Sequence, residues 1–367
     1  MVRSCAVALV ISLVVPGAVT NAAAQRPAEH VILVTIDGLR AQDLFTGPDS
    51  TIMASRQASG IADTAEFRKT YWRSTAVDRR RNAMPFFWDS LVPRGVITGL
   101  PGGASVRSTN GHKFSAPGYQ EIYTGAPQPD VTSNDDRRYD HRTIFDVVRD
   151  RLATRHTDVA AFVSWSVQGR LVSARPDAVV VNVANEPFPP ESRVTPVAVL
   201  ETVESRIHHS DGVEMRHDAI TDALAIDYLT RYHPRLLHIG LGETDIEAHN
   251  RRYDRLFDLL RSTDAMLREL WRVIEADPQL RGRTAIVITT DHGRGATPTN
   301  WTDHGDKVDA ADRIWIAAVG AGVPARGLLD VAATQSQVGP TVLALLGLAP
   351  SELGTTAAAP IVAFLKR

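Results

Sequence analysis

The chain has 367 residues, enough for one large α/β domain. Hydrophobic residues make up 44% and charged residues 22% of it, which excludes intrinsic disorder and a coiled coil as descriptions of the whole. With 40 basic and 42 acidic residues the formal net charge is −2, so no global charge favours binding to nucleic acid.

The first 24 residues have the pattern of a cleaved signal peptide. Arg3 provides a positive start, residues 6–15 are apolar, and residues 22–24 offer small side chains for cleavage. The apolar run is shorter than the roughly 20 residues that a transmembrane helix needs. A first buried helix or strand is the alternative interpretation. The only cysteine, Cys5, precedes the run. We therefore expect a periplasmic or secreted protein without cysteine and without a stable membrane anchor.

Short, continuous apolar runs alternate with helical patterns along the rest of the chain. Runs rich in β-branched residues predict strands at 31–36, 160–163, 178–183, 236–241, 284–290 and 314–319. Helical patterns occupy 142–153, 216–232, 252–276 and 337–346. Continuous hydrophobicity indicates strands buried on both faces, as in a parallel sheet. The order predicts an α/β sandwich, and residues 126–234 are expected to include a cap or inserted lobe that shapes the pocket.

Acidic residues follow three of the predicted strands. The carboxyl ends of parallel strands meet at one edge of a sheet, so these side chains are expected to converge there. A separation of four also places Asp245 and His249 on one face of a helical turn. Taken singly, each residue reads as an ordinary turn, cap or surface residue. Together they predict two groups of three metal ligands, each with an open position as in catalytic zinc sites: Asp37, Asp291 and His292, and Asp245, His249 and His304.

Ser115 is the predicted nucleophile. It begins a short helical segment, where backbone amides can point at an anion. A serine hydroxyl bound to a divalent cation can also lose its proton near neutral pH. The alternative role for a serine before a helix is that of an N-cap.

These motifs, in their order along the chain, resemble those of the alkaline phosphatase superfamily. The resemblance is nearest to its nucleotide pyrophosphatase/phosphodiesterase-like and phosphoglyceromutase-like metalloenzymes, and it extends from about residue 30 to about residue 348. It rests on Asp37-Gly38, Ser115-Ala116-Pro117-Gly118-Tyr119, Asp245 with His249, Asp291-His292-Gly293 and His304-Gly305.

The resemblance implies a three-layer α/β/α sandwich with a mostly parallel central sheet. It also implies a hydrolase of small phosphate esters with two divalent metal ions, zinc in most relatives and manganese in the mutase branch, and the signal-peptide pattern adds that this hydrolase is exported. Ser115 would be both a metal ligand and the nucleophile, forming a phosphoserine. The absence of a cysteine at this position argues against a formylglycine-dependent sulfatase.

One departure from the family pattern concerns the oxyanion. The phosphodiesterase branch has an aromatic residue, Pro, Asn and His after the nucleophile, whereas this chain has Ala116, Pro117, Gly118 and Tyr119. We therefore expect Asn110, Lys113 or backbone amides to hold a phosphoryl oxygen in place of that Asn. A phosphomutase and a metal-binding relative without turnover are the alternative functions.

Overall fold

The first strand lies at the centre of the sheet. The computed structural model describes residues 27–184, 186 and 215–366, and the predicted signal peptide lies outside these residues. The strands within them are β1 (His30–Ile36), β2 (Gly95–Thr98), β3 (Val106–Arg107), β4 (Val159–Val163), β5 (Val180–Val183), β6 (Leu236–Leu241), β7 (Thr284–Thr289), β8 (Ile316–Gly320), β9 (Gly327–Leu328) and β10 (Ala333–Thr334).

Eight of the described strands form one sheet in the order β5-β4-β6-β1-β7-β8-β2-β9. Neighbouring strands are parallel except at β8, which is antiparallel to both β7 and β2. β3 and β10 form a separate parallel pair. The sheet is therefore mostly parallel, as predicted, and the predicted strands that became β1, β4, β5, β6, β7 and β8 are confirmed.

The helices cover both faces of this sheet. In chain order, those among the described residues are α1 (Ala41–Thr46), α2 (Ser50–Met53), α3 (Arg56–Ser59), α4 (Thr64–Tyr71), α5 (Ala76–Ala83), α6 (Val92–Arg94), α7 (Ser115–Thr124), α8 (Ile144–Arg151), α9 (Ser166–Leu171), α10 (Asp218–Tyr232), α11 (Glu243–His249), α12 (Tyr253–Ala276) and α13 (Val338–Leu345). A π-helical turn spans Phe87–Leu91, and 3₁₀ turns span His156–Asp158, Gln335–Gln337, Pro350–Leu353 and Val362–Phe364.

Successive side chains of β1 point to opposite faces, as a strand requires. Ile32 and Val34 belong to the apolar cluster that contains α10 and α12. Val31 and Leu33 belong to the second cluster, with α7, α8 and α13. The arrangement is the predicted three-layer α/β/α sandwich. In the part of the chain that the structure describes, no helix has both the length and the apolar content to cross a bilayer.

The region predicted to include a cap also contributes to the sheet. Residues 126–184 and 215–234 contain β4, β5, α8, α9 and α10, and both strands pair within the central sheet. The described part of residues 126–234 therefore largely builds the sandwich. The cap or inserted lobe within residues 126–234 stays a prediction, and residues 185 and 187–214 of that region lie outside the described residues.

Candidate active site

The three acid-bearing turns lie side by side because of the register of the central strands. Ile36 of β1 pairs with Leu241 of β6, and Thr35 pairs with Thr289 of β7. The chain therefore leaves the sheet at the same level after β1, β6 and β7. These exits carry Asp37, the start of α11, and Asp291.

Asp37, Asp291 and His292 form a buried cluster. Nε2 of His292 lies 3.3 Å from Oδ1 of Asp37 and 3.5 Å from Oδ2 of Asp291. Nδ1 of His292 lies 2.9 Å from the carbonyl oxygen of Gly293. A proton on Nδ1 satisfies that carbonyl, so Nε2 is the ring nitrogen that faces the two carboxylates and would bind a metal ion in place of its proton.

The charges of this first cluster are unbalanced. Within the described residues, Oδ1 of Asp37 and Oδ2 of Asp291 are buried without a hydrogen-bond donor. Burial, with Asp291 and Asp245 nearby, raises the pKa of Asp37 well above its usual value, and burial raises that of Asp291. Although burial lowers the pKa of His292, the carboxylates of Asp291 and Asp37 raise it to about 9. Two unpartnered oxygens and one imidazole nitrogen suit a divalent cation such as zinc.

Asp245, His249 and His304 form the second cluster. Nε2 of His249 lies 3.3 Å from Oδ2 of Asp245 and 2.9 Å from Nε2 of His304, and Nε2 of His304 lies 3.8 Å from Oδ1 of Asp245. Burial, then the neighbouring His292, lowers the pKa of His304 to about 2. His304 is therefore neutral, the state in which imidazole binds a metal.

Ser115 lies beside the first cluster. It is the first residue of α7, and the N-cap position belongs to Phe114, so the N-cap role does not apply to its side chain. Its Oγ lies 3.5 Å from Nε2 of His292. Gly118 explains how close the helix comes, because a Cβ there would lie 2.3 Å from the carbonyl oxygen of Asp291. The glycine that departs from the family pattern is thus the residue that allows α7 to pack against the Asp291 turn.

The side chains of Asn110 and Lys113 make hydrogen bonds within the loops around the start of α7. Nδ2 of Asn110 donates to Glu121 at 2.9 Å, and its Oδ1 accepts from the backbone N–H groups of His112 and Lys113. Lys113 donates through Nζ to the carbonyl oxygen of Asp306 at 3.1 Å. Both residues shape the loop ahead of α7 through these bonds, and their role at a phosphoryl oxygen stays a prediction.

Two side chains that the sequence analysis missed lie at this edge. Oδ1 of Asn134 accepts a hydrogen bond from the backbone N–H of Ala116 at 2.9 Å, so its side-chain amide lies at the start of α7. Arg294, 1% exposed, donates to Oδ1 of Asp245. In the sequence, only the position of Arg294 directly after the Asp291-His292-Gly293 motif indicates that it lies near the site. Asn134 lies in a polar loop with no periodic pattern.

Comparison with known proteins places this fold and site in a family. The type I phosphodiesterase/nucleotide pyrophosphatase family matches residues 72–335, more than half of the chain. The protein belongs to this family, and with it to the alkaline phosphatase superfamily. It is a hydrolase of the phosphatase, phosphodiesterase and sulfatase type. No curated protein matches the chain.

Solved structures show the same fold at low sequence identity. Alkaline phosphatase PafA is 10% identical with a TM-score of 0.60, covering 93% of this chain and 99% of that one. A phosphonate monoester hydrolase of Agrobacterium radiobacter is 13% identical with a TM-score of 0.57, covering 93% and 77%. A putative sulfatase from Bacteroides thetaiotaomicron is 15% identical with a TM-score of 0.58, covering 93% and 75%.

Proposed function

We propose that the protein is an exported phosphoric ester hydrolase that uses two divalent metal ions and forms a phosphoserine at Ser115. The observation that carries the proposal is the position of the Ser115 hydroxyl beside the first cluster, 3.5 Å from Nε2 of His292. A nucleophile needs a partner at this distance that lowers the cost of losing its proton.

Asp37, Asp291, His292 and Ser115 would hold one ion, and Asp245, His249 and His304 the other. Zinc suits these oxygen and nitrogen donors, and manganese is the alternative. Such ions lower the pKa of a bound hydroxyl and polarise a phosphoryl group.

Ser115 Oγ then attacks phosphorus as the P–O bond to the alcohol breaks, and the alcohol oxygen leaves on the opposite side. A water molecule later attacks the phosphoserine, which returns the Ser115 hydroxyl and releases phosphate, or a phosphomonoester from a diester. The α7 start offers few backbone donors for the phosphoryl oxygens, because Pro117 has no N–H and the Ala116 N–H donates to Asn134. The side-chain amide of Asn134 and the N–H of Ser115 are the donors we assign to this task.

The test is a turnover screen of the purified mature protein with metal content measured on the same sample. Phosphate monoesters, phosphate diesters, phosphonate esters and sulfate esters are the substrates. Release of alcohol and of phosphate or phosphomonoester is expected. Isomerisation of a phosphosugar without free phosphate would instead identify a phosphomutase, and bound metal without turnover a non-catalytic relative.

The export part of the proposal rests on residues 1–24 and has its own test. Sequencing the N-terminus of protein made in its own cell should find a chain that begins near residue 25. A chain that retains Met1 would contradict export without affecting the proposed chemistry.

A further inference from the structure

The guanidinium group of Arg294 lies inside the second cluster. Its Nη2 donates to the carbonyl oxygen of Asp245 at 3.1 Å and to Oδ1 of the same residue, and its Nη1 donates to the carbonyl oxygen of Thr302. Gly38 makes room for it, since a Cβ at Gly38 would lie 2.9 Å from Nε of Arg294 and 2.6 Å from Oδ1 of Asp245. Arg294 is therefore held by Asp245 and Thr302 and packs against the turn that follows β1.

The two clusters differ in the carboxylate oxygens they can offer a cation. In the first, Oδ1 of Asp37 and Oδ2 of Asp291 have no hydrogen-bond donor among the described residues. In the second, Oδ1 of Asp245 already accepts from Arg294, and Oδ2 lies 3.3 Å from Nε2 of His249. An ion at the second cluster must share the Asp245 carboxylate with a cation, whereas an ion at the first cluster need not.

The charge count points the same way. Three carboxylates, those of Asp37, Asp245 and Asp291, surround the site, and Arg294 balances one of them. A single divalent cation neutralises the other two, so a second one enters a site that no longer carries excess negative charge. Arg294 itself is buried, so water screens its repulsion toward the second ion less than it would at the surface.

We propose that Arg294 makes the Asp245/His249/His304 position the weaker metal site, so that the two ions bind in order, first at Asp37/Asp291/His292. The inference rests on the proposed two-ion function and adds a residue that sets the relative affinities. Arg294 is a positioning residue in this role, acting through Asp245.

The test is calorimetric titration of the chelator-treated, full mature chain with Zn²⁺. The wild type should show two binding events whose dissociation constants differ by at least about tenfold, and His304→Ala should remove the weaker one. Arg294→Met, which removes the charge at similar length, should tighten the weaker event by at least about tenfold. Arg294→Lys, which keeps the charge, should leave that event weak. The tighter event should be unchanged in both Arg294 variants, which also shows that they fold.

Three results would overturn the inference. The first is equal affinity of the two ions in the wild type, and the second is an unaltered weaker event in Arg294→Met. The third is loss of that event in Arg294→Met with the tighter event intact, since Arg294 would then hold the second site together. If Arg294→Met does not fold, Arg294→Gln removes the charge and can still donate to Thr302. A wild type that binds no Zn²⁺ would instead refute the proposed metal centre, whatever the role of Arg294.

Discussion

The phenol oxygen of Tyr119 lies 3.0 Å from Oδ2 of Asp37 and donates a hydrogen bond to it. Both side chains are buried, and Tyr119 stands one helical turn after Ser115 on α7. The bond ties the helix of the proposed nucleophile to a proposed metal ligand, and it leaves Oδ1 of Asp37 directed at His292. Tyr119 therefore orients Asp37 without touching substrate.

We expect Tyr119→Phe to weaken metal binding at the first cluster by about tenfold, the lower end of what loss of such an outer hydrogen bond costs. The control is Tyr123→Phe on the same helix. The Tyr123 hydroxyl makes its hydrogen bonds with Gln168 and His238 and not with a cluster carboxylate, so metal affinity should not change. Zinc titration of both variants decides the matter. If both variants bind zinc at the first cluster as tightly as the wild type, Tyr119 serves packing alone.

Ser115→Ala should abolish most activity while leaving metal content and stability close to wild type. Activity is expected to fall by at least about a hundredfold, because the nucleophile is lost while the Asp and His ligands remain. The melting temperature should change little, because Ser115 does not cap α7. Acid-quenched wild-type reactions should contain phosphoserine at this position, and Ser115→Thr should keep part of the activity. If Ser115→Ala turns over substrate at the wild-type rate, Ser115 is not the nucleophile.

Asn134 and Asn110 form a matched pair: we expect replacement of Asn134 to lower activity and replacement of Asn110 to lower stability. Asn134→Ala should lower kcat/KM by about tenfold or more with little loss of stability, because an oxyanion donor acts in the transition state and the side chain is exposed. Asn110→Ala should lower the free energy of unfolding by about 1–3 kcal/mol, because its partner Glu121 is fully buried. Kinetics and urea unfolding of both variants are the measurements. The reverse pattern would return the oxyanion role to Asn110.

Asp222 should make the protein less stable as the pH rises. Burial, then the nearby Glu269, raises the pKa of Asp222 to about 7. The folded state therefore holds its proton more tightly than the unfolded chain, whose Asp has a pKa of about 3.9. The linked stability is present at pH 4 and is lost as the pH rises to 7.

Asp222→Asn removes this titration. Its gain in unfolding free energy over wild type should be larger at pH 8 than at pH 5, by about 1–2 kcal/mol after allowance for partial exposure to water. Urea unfolding at the two pH values measures the difference. Asp218, whose pKa is also raised to about 7, is present in both proteins, so its effect cancels. A gain independent of pH would mean that Asp222 does not titrate in this range.

The sequence predicted the elements whose patterns are long or continuous. β1, β6 and β7 are predominantly apolar runs, and α12 carries a clear helical stripe, so the positions of Asp37, Asp245 and Asp291 after strands could be inferred. β2 has four residues, and α1 to α5 are short with weak patterns, so local signals did not reveal them. The oxyanion prediction started from the Asn that the family pattern has and this chain lacks, and it left Asn110, Lys113 and backbone amides as alternatives. The hydrogen bond from Asn110 to the buried Glu121 is a tertiary contact that the sequence did not reveal.

The place of β1 in the sheet has a consequence for how the chain folds. Val31 pairs with Leu236 on one side and with Ala285 on the other, so the first strand cannot complete its ladders until most of the chain is available. Contacts so distant in sequence make folding slow and leave early strands exposed in the meantime. Asp37, Asp245 and Asp291 therefore come together only when β1 has paired with both β6 and β7, late in folding. Metal uptake by this chain should therefore report completed folding, and a fragment that ends before β7 should bind no ion at the first cluster.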